Sequence, residues 1–467
     1  MISHRSHARH VPLLGADAPR PTVRDRLDEG KTLRTKVPRL SHAGWTRPDG
    51  RPDPIEVLKQ TDQGRLPDLL SMRYGRMRQS PFAFYRGAAA LMALDLAATP
   101  TTGIRVQACG DCHAANFGGF ASPERRLLFD INDFDETLRA PWEWDVKRLA
   151  ASVVLASREL GLGEGRCADA VNIMAASYRD RMRKYAGMRA LEVWYSHLDA
   201  EVFVKEAASQ SARKDWKAAE QKAQSEAAEH HFPGLVNVRG ARVQIEDHPP
   251  LVDHPHSRDM TTRSVTSMFH QYRATLPDER RMILDRYHMV DFARKVVGVG
   301  SVGTRCGVIL LMAEDNDALF LQFKEARPSV LEPYAGKSRY SNQGQRVVTG
   351  QRLLQSASDV FLGWTQDDSG RAYYFRQLRD MKMKIDLNGM TTPNWLEYVD
   401  VCAWALARAH ARTGDAAQVT GYLGKSDKFD HAIARFAAAY ADQAEQDHAT
   451  LQKAIRAGRL KASRVVG

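Results

Sequence analysis

The segment Gly110-Asp111-Cys112-His113-Ala114-Ala115-Asn116 gathers an aspartate, a histidine and an asparagine just after a short apolar stretch. An aspartate in such a loop can orient a hydroxyl and accept its proton, and an asparagine five positions later can curl back to hold a metal ion. Seventeen positions beyond Asn116, Asp133 ends a second apolar stretch, and Asp135 follows two residues later. Magnesium takes few protein oxygens and completes its shell with phosphate oxygens, so Asn116 and Asp133, with Asp135 as a further carboxylate, are enough to hold it. Asp111 is the candidate base. His113 is a second catalytic candidate or a prop for the loop backbone.

A triphosphate also needs donors. Gly298-x-Gly300-x-x-Gly303, with Ser301 inside it, opens a β-rich region. Glycines there let backbone N–H groups approach phosphate oxygens without interference from Cβ. The loop is expected between two strands, not between strand and helix as in a dinucleotide fold. Lys324 ends an apolar strand about twenty residues on, the place from which a kinase lysine reaches the α- and β-phosphates.

These groups require positioning elements. Ala88 to Ala98 reads as a buried helix, Gly103 to Ala108 and Arg126 to Ile131 as strands, and Trp144 to Leu160 as a helix with Val146, Leu149, Val153 and Leu160 on one face. The intervening segment before Arg126 reads as a loop. Residues 1–60, rich in Pro, Arg and Gly, read as an extended arm; 61–165 carries the catalytic loop, and 166–290 reads as a mostly helical insertion. Within that insertion, Ala207 to His231 has the composition of an exposed, charge-laced helix. Strand character is expected from Val296, with Cys306 to Met312 and Leu319 to Lys324 as a hairpin. A small β-rich lobe thus covers 291–385, and a helical, Ala-rich part covers 386–467.

Composition limits the partners. The 467 residues carry a formal net charge of +11, which favours anionic ligands such as nucleotides. The excess is scattered arginine with no dense basic block, so nucleic acid is not an expected partner. Arg73, Arg76 and Arg86 are candidates for a substrate anion or for pairing with carboxylates. No run approaches the ~20 apolar residues of a membrane helix. Met1 to Arg20 has no apolar stretch of signal-peptide length, so the cytoplasm is expected. Five dispersed cysteines fit free thiols better than a disulfide framework. Cys109-x-x-Cys112-His113 formally matches a haem attachment site, but that chemistry needs export, and zinc would need two further ligands. Both cysteines therefore read as packing residues.

Asp111, His113 and Asn116 resemble the Gly-Asp-x-His-x-x-Asn loop of the aminoglycoside phosphotransferase and choline kinase branch of the protein-kinase-like fold. Asp133-Phe134-Asp135 resembles its metal motif. Pro141-Trp142-Glu143-Trp144-Asp145 resembles the element whose aspartate anchors the catalytic loop. That resemblance implies Asp111 as base, Asn116 and Asp133 as metal ligands, and Asp145 as structural; Asp145 with Arg148 also reads as a buried ion pair. The glycine loop follows the catalytic loop here, whereas it precedes it in ordinary kinases. A circular permutation accounts for this, and Leu406 to Ala411 resembles the helix that normally leads into the catalytic loop. Nearly the whole chain also resembles a bacterial family catalogued as domain of unknown function 2252, through segments such as Arg73 to Met77, Phe129 to Thr137 and Val296 to Arg305.

The expectation is an α+β, two-lobed, protein-kinase-like fold with permuted lobe order and a helical insertion. ATP and Mg2+ are the expected cofactors, and the reaction is phosphoryl transfer to a hydroxyl of an unidentified small-molecule or protein acceptor. One departure from the kinase pattern keeps two alternatives open. Gln343 to Ser358 offers no glutamate to hold Lys324, leaving Glu325 or Glu332 as substitutes. Transfer of AMP from the same site and a non-catalytic nucleotide-binding pseudokinase are the alternatives.

Overall fold

The computed structural model describes residues 21–199, 236–239, 242–254, 260–314, 317–378 and 383–463, together with 213, 217, 218 and 221. Most of the segment Ala207 to His231 lies outside the described residues.

The N-terminal region is helical from Val23 onward, not an extended arm. Its prolines start helices: Pro54 and Pro81 occupy first-turn positions behind the caps Asp53 and Ser80, where a missing N–H costs nothing. The helices are α1 (Val23–Lys36), α2 (Pro54–Asp62), α3 (Pro67–Met77), α4 (Pro81–Gly87) and α5 (Ala89–Ala97). Ile55 and Leu58 of α2 pack with Tyr74, Met77, Phe84 and Leu91 in a core of their own.

Next come β1 (Arg105–Ala108), β2 (Phe117–Ala121), β3 (Leu127–Ile131) and β4 (Leu138–Pro141), then α6 (Trp142–Glu159) and α7 (Glu164–Ala186). β2 occupies the segment read as a loop. Its Gly118-Gly119 lacks strand propensity, and pairing with β3 and with Met383-Lys384 supplies what the residues do not. Glycine is required there, because a Cβ on Gly118 would lie 2.5 Å from the Met383 carbonyl oxygen.

The late helices α10 (Thr392–Thr413), α11 (Ala416–Leu423) and α12 (Lys428–Arg456) return to the early half. α10 packs along α7, α12 along α6 and α7, and α1 against α11. One core therefore joins Trp142, Val146, Leu149 and Tyr178 to Trp395, Leu406, Phe436 and Tyr440.

A six-stranded antiparallel sheet forms the second layer, in the order β11-β12-β10-β9-β8-β7. Its strands are β7 (Val252–Asp253), β8 (His288–Lys295), β9 (Cys306–Met312), β10 (Ala318–Ala326), β11 (Gly363–Gln366) and β12 (Ala372–Gln377). A short β5–β6 hairpin (Val236–Arg239 and Arg242–Ile245) precedes it. Strand structure thus starts before Val296, with β5, β6, β7 and the first residues of β8 all inside the segment read as mostly helical; β8 is an open strand of mixed polarity with no apolar run to reveal it. Two helices, α8 (Thr262–Ala274) and α9 (Gln343–Leu354), pack on this sheet. Phe323, Tyr373 and Phe375 of the sheet and Tyr272 of α8 form its own core. The architecture is α+β.

Candidate functional site

β1 delivers the loop that holds Asp111. Gly110 adopts φ +85°, and a Cβ there would lie 2.3 Å from the Glu136 carbonyl oxygen, so no other residue fits without displacement. Asp145, in the first turn of α6, accepts hydrogen bonds from the backbone N–H groups of Cys109 at 2.7 Å and Gly110 at 2.9 Å. His410 of α10 meets the same carboxylate at 3.1 Å and is itself held by Tyr178 at 2.8 Å. The helix Leu406 to Ala411 thus supports the loop from the far end of the chain. Ser152 and Tyr398 fix the two backbone groups of Ala114.

Arg148 pairs with Asp111, not with Asp145. Its Nε donates to Asp111 Oδ1 at 2.8 Å, a second nitrogen donates to the Tyr85 carbonyl at 2.9 Å, and the guanidinium lies 4.0 Å from the Tyr85 ring centroid. One carboxylate oxygen of Asp111 is thereby held, while the other faces His113 Nε2 at 3.9 Å. His113 is buried, and burial pushes its pKa down to about 3 despite Asp111; Arg86 and Arg148 add to the depression. At that distance the ring makes no hydrogen bond to Asp111, and its buried Nδ1 has no partner among the described residues. Arg148 stands one helical turn after Asp145, a spacing that could have flagged it.

The carboxylates and the lysine meet across the two layers. Lys324 Nζ donates to Asp135 Oδ2 at 2.7 Å and lies 3.8 Å from Asp133 Oδ1. Asp135 also accepts from Ser301 at 3.0 Å and from Tyr374 at 2.7 Å. Burial opposes its charge, but Lys324 and the hydrogen bonds outweigh burial and hold its pKa down to about 2. Both of its oxygens are therefore taken, and in this arrangement Asp135 serves as the lysine's counter-ion, not as a free metal ligand. Neither Glu325 nor Glu332 substitutes, since Glu325 pairs with Arg305 at 3.3 Å and Glu332 meets Gln343. Helix α9 contributes Arg346 instead, which donates to the carbonyls of Asp135 and Thr137 and fixes the acidic segment.

Asp133 keeps 44% of its side-chain surface open to the cleft. Enclosure by the cleft walls and repulsion from Asp135 raise its pKa, against Lys324. Asn116 Nδ2 donates to the carbonyls of Asp111 at 3.0 Å and Asp133 at 3.2 Å. Among the described residues no donor meets the amide oxygen of Asn116. One carboxylate and one amide oxygen fit a magnesium ion that draws its other ligands from phosphate and water. Among the described residues no group of three or more His, Cys, Asp or Glu forms a metal cluster.

The glycine loop joins β8 to β9, strands paired in antiparallel register. Gly298, Gly300 and Ser301 line the space above Asp133, whereas Gly303 does not. Gly303 adopts φ +89°, and its carbonyl accepts from Leu66 N–H at 2.7 Å. Arg65 donates to Val302 O, and Arg76 donates to Gly298 O. Helix α3 and the turn before it therefore brace the loop, a role that sequence reading missed. Of the three candidate anion-binding arginines, Arg76 is spent on this brace and Arg73 is paired with Asp62 at 2.9 Å.

Two cavities meet here. The larger, about 1090 Å³, is lined by Lys324, Arg376, Leu378 and Ile385. The smaller, about 340 Å³, is lined by Asp111, His113 and Glu136. Arg86, Asn116, Asp133, Gly298 and Ser301 border both. All five cysteines are free and buried, Cys109 and Cys112 among them, as packing residues are. Among the described residues no helix is long and apolar enough to cross a membrane.

No curated protein and no solved structure matches the chain. One family model does, over residues 65–454, and it spans the sheet and the catalytic-loop, carboxylate, glycine-loop and lysine residues of the cleft. The chain therefore belongs to the DUF2252 family, described as an uncharacterized protein conserved in bacteria.

Proposed function

We propose that this protein is an ATP- and magnesium-dependent phosphotransferase with a permuted kinase-like fold, acting on a hydroxyl-bearing acceptor. The observation that carries the reading is the contact of Lys324 with Asp135 at 2.7 Å and with Asp133 at 3.8 Å, beneath a glycine loop whose Ser301 reaches the same carboxylate. Carboxylates from the early half and glycine amides and a lysine from the late half thus face one cleft. The order of the sheet supports the same reading. A hairpin carries the glycine loop, a third strand carries the lysine, and a helix and two more strands follow, as in the nucleotide lobe of kinases.

Magnesium supplies charge neutralisation of the phosphates when bound; Asp133 and the Asn116 amide oxygen would hold it. Lys324 and the backbone N–H groups around Gly298 to Ser301 orient the triphosphate in the larger cavity. Asp111, with one oxygen fixed by Arg148, directs the other to the acceptor hydroxyl and takes its proton. Calorimetric titration with a non-hydrolysable ATP analogue tests the site. Binding that requires magnesium and is lost in Asp133→Asn supports it; binding indifferent to both overturns it.

A pseudokinase reading is favoured by one observation: Lys324 is held by Asp135, and α9 carries no acidic residue. Magnesium-dependent binding without turnover on any acceptor identifies that case. Transfer of AMP from the same site is distinguished by the mass gained on the product.

A further inference from the structure

We infer that the smaller cavity is the acceptor site and that its acceptor is a small hydroxyl compound carrying an oxyanion, a phosphate or a carboxylate, captured by Arg86. The inference rests on the phosphotransferase reading for the word acceptor, but the anion site stands on its own observations. The cavity, about 340 Å³, is of small-metabolite size and has Asp111 in its wall, whereas Asp111 is absent from the lining of the larger one.

Most carboxylates of its wall already meet a cation: Asp111 meets Arg148, Asp133 and Asp135 share Lys324, and Glu325 meets Arg305. Three arginines in the lining, Arg65, Arg86 and Arg327, have no carboxylate within ion-pair distance among the described residues. Arg65 and Arg327 are occupied by backbone carbonyls at Val302, Thr61 and Gln63. Among the described residues Arg86 makes no hydrogen bond or ion pair; its guanidinium lies 6.0 Å from the Phe82 ring centroid, and its buried Nε has no partner. An unsatisfied guanidinium nitrogen on a cavity wall is costly to the fold and is retained where a ligand satisfies it. A planar fork of donors suits a phosphate or carboxylate, which it grips through two oxygens. With the anion on Arg86, a hydroxyl elsewhere on the same small molecule can face Asp111.

The test uses three compounds of one skeleton, glycerol 3-phosphate, glycerate and glycerol, titrated calorimetrically into the full chain without nucleotide. Both anions, or one of them, should bind while glycerol does not, and the tighter anion identifies the phosphate or carboxylate source. Arg86→Gln should weaken anion binding by roughly tenfold or more, and Arg86→Lys should recover part of it. Arg86 loses only its approach to the Phe82 ring, so Arg86→Gln should melt close to the parent, and lost binding cannot then be blamed on unfolding. Glycerol binding as well as the anions, anion binding that survives Arg86→Gln, displacement of the anions by the ATP analogue, or no binding of either anion at millimolar concentration would each overturn the inference. Anion binding through Arg86 with no ATP-dependent turnover sinks the phosphotransferase reading alone. Turnover on neutral acceptors only sinks this one alone.

Discussion

Lys324 and Asp135 stand 189 positions apart in the chain and close to 2.7 Å in the fold. Lys324 is 2% exposed, so the pair is made in a protein interior and not on a surface where it would count for little. It ties the sheet layer to the helical layer at the centre of the cleft.

Replacing that lysine by methionine removes the cation between Asp133 and Asp135. Asp133 and Asp135, 44% and 27% exposed, are then opposed only by Arg376, and stability should fall by about 2 kcal/mol, less than for a fully buried pair. Lys324→Met should melt well below the parent and lose binding of the ATP analogue. Melting curves with and without the analogue check both.

Acid sensitivity follows from the same pair. Asp135 has its pKa lowered from 3.8 to about 2, so its stabilising contribution is complete above about pH 4 and is lost as pH falls toward 2. Asp135→Asn should flatten the loss of stability in that window. Parallel acid titrations of the two proteins, followed by circular dichroism, measure the difference.

Asp111→Asn tests the base. The amide keeps the size of the side chain but neither accepts a proton nor neutralises Arg148. Turnover should fall roughly 10²- to 10⁴-fold with binding of the ATP analogue little changed. Stability should also fall, because Arg148 is 2% exposed and loses its charge partner. Single-turnover kinetics and calorimetry separate the two effects.

Glu136 titrates near neutrality. Burial raises its pKa from 4.5 to about 7, opposed by a hydrogen bond from Val330 N–H and by Arg346. The folded chain holds the proton that the unfolded chain releases, so this contribution is complete below about pH 4.5 and is lost as pH rises through 7. Glu136→Gln should remove the trend, gaining on the parent in melting temperature from about pH 5 to pH 8. A melting series across that range gives the slope.

Asp145→Ala releases the amides of Cys109 and Gly110 together with His410. About 3 kcal/mol of stability should go with three buried hydrogen bonds. His410→Ala should cost less once Asp145 is gone, by roughly 1 kcal/mol or more, since both act on one carboxylate. Denaturant unfolding of the two single variants and the double variant closes the cycle.

Much of this was legible along the chain because it is local. The strand before Asp111, the buried helix after Asp133 and the apolar hairpin leading to Lys324 are written in periodicity and short-range spacing, which backbone geometry converts directly into elements. The N-terminal prolines misled, since a proline favours a helix start as readily as an extended arm and only its neighbours choose. β2 and β8 were hidden because strands of glycine or mixed polarity are made by their pairing partners.

What tertiary structure alone decided is who meets whom. Sequence named Asp111, Asp133, Asp135 and Lys324 as charged groups with chemistry to do. Only folding assigned Arg148 to Asp111, engaged both oxygens of Asp135, turned Gly303 away from the cleft and left Arg86 without a hydrogen bond or ion pair among the described residues. Residue types and local spacing carry an ion pair's components, but the pair itself is set by desolvation and distance between segments that the chain keeps far apart.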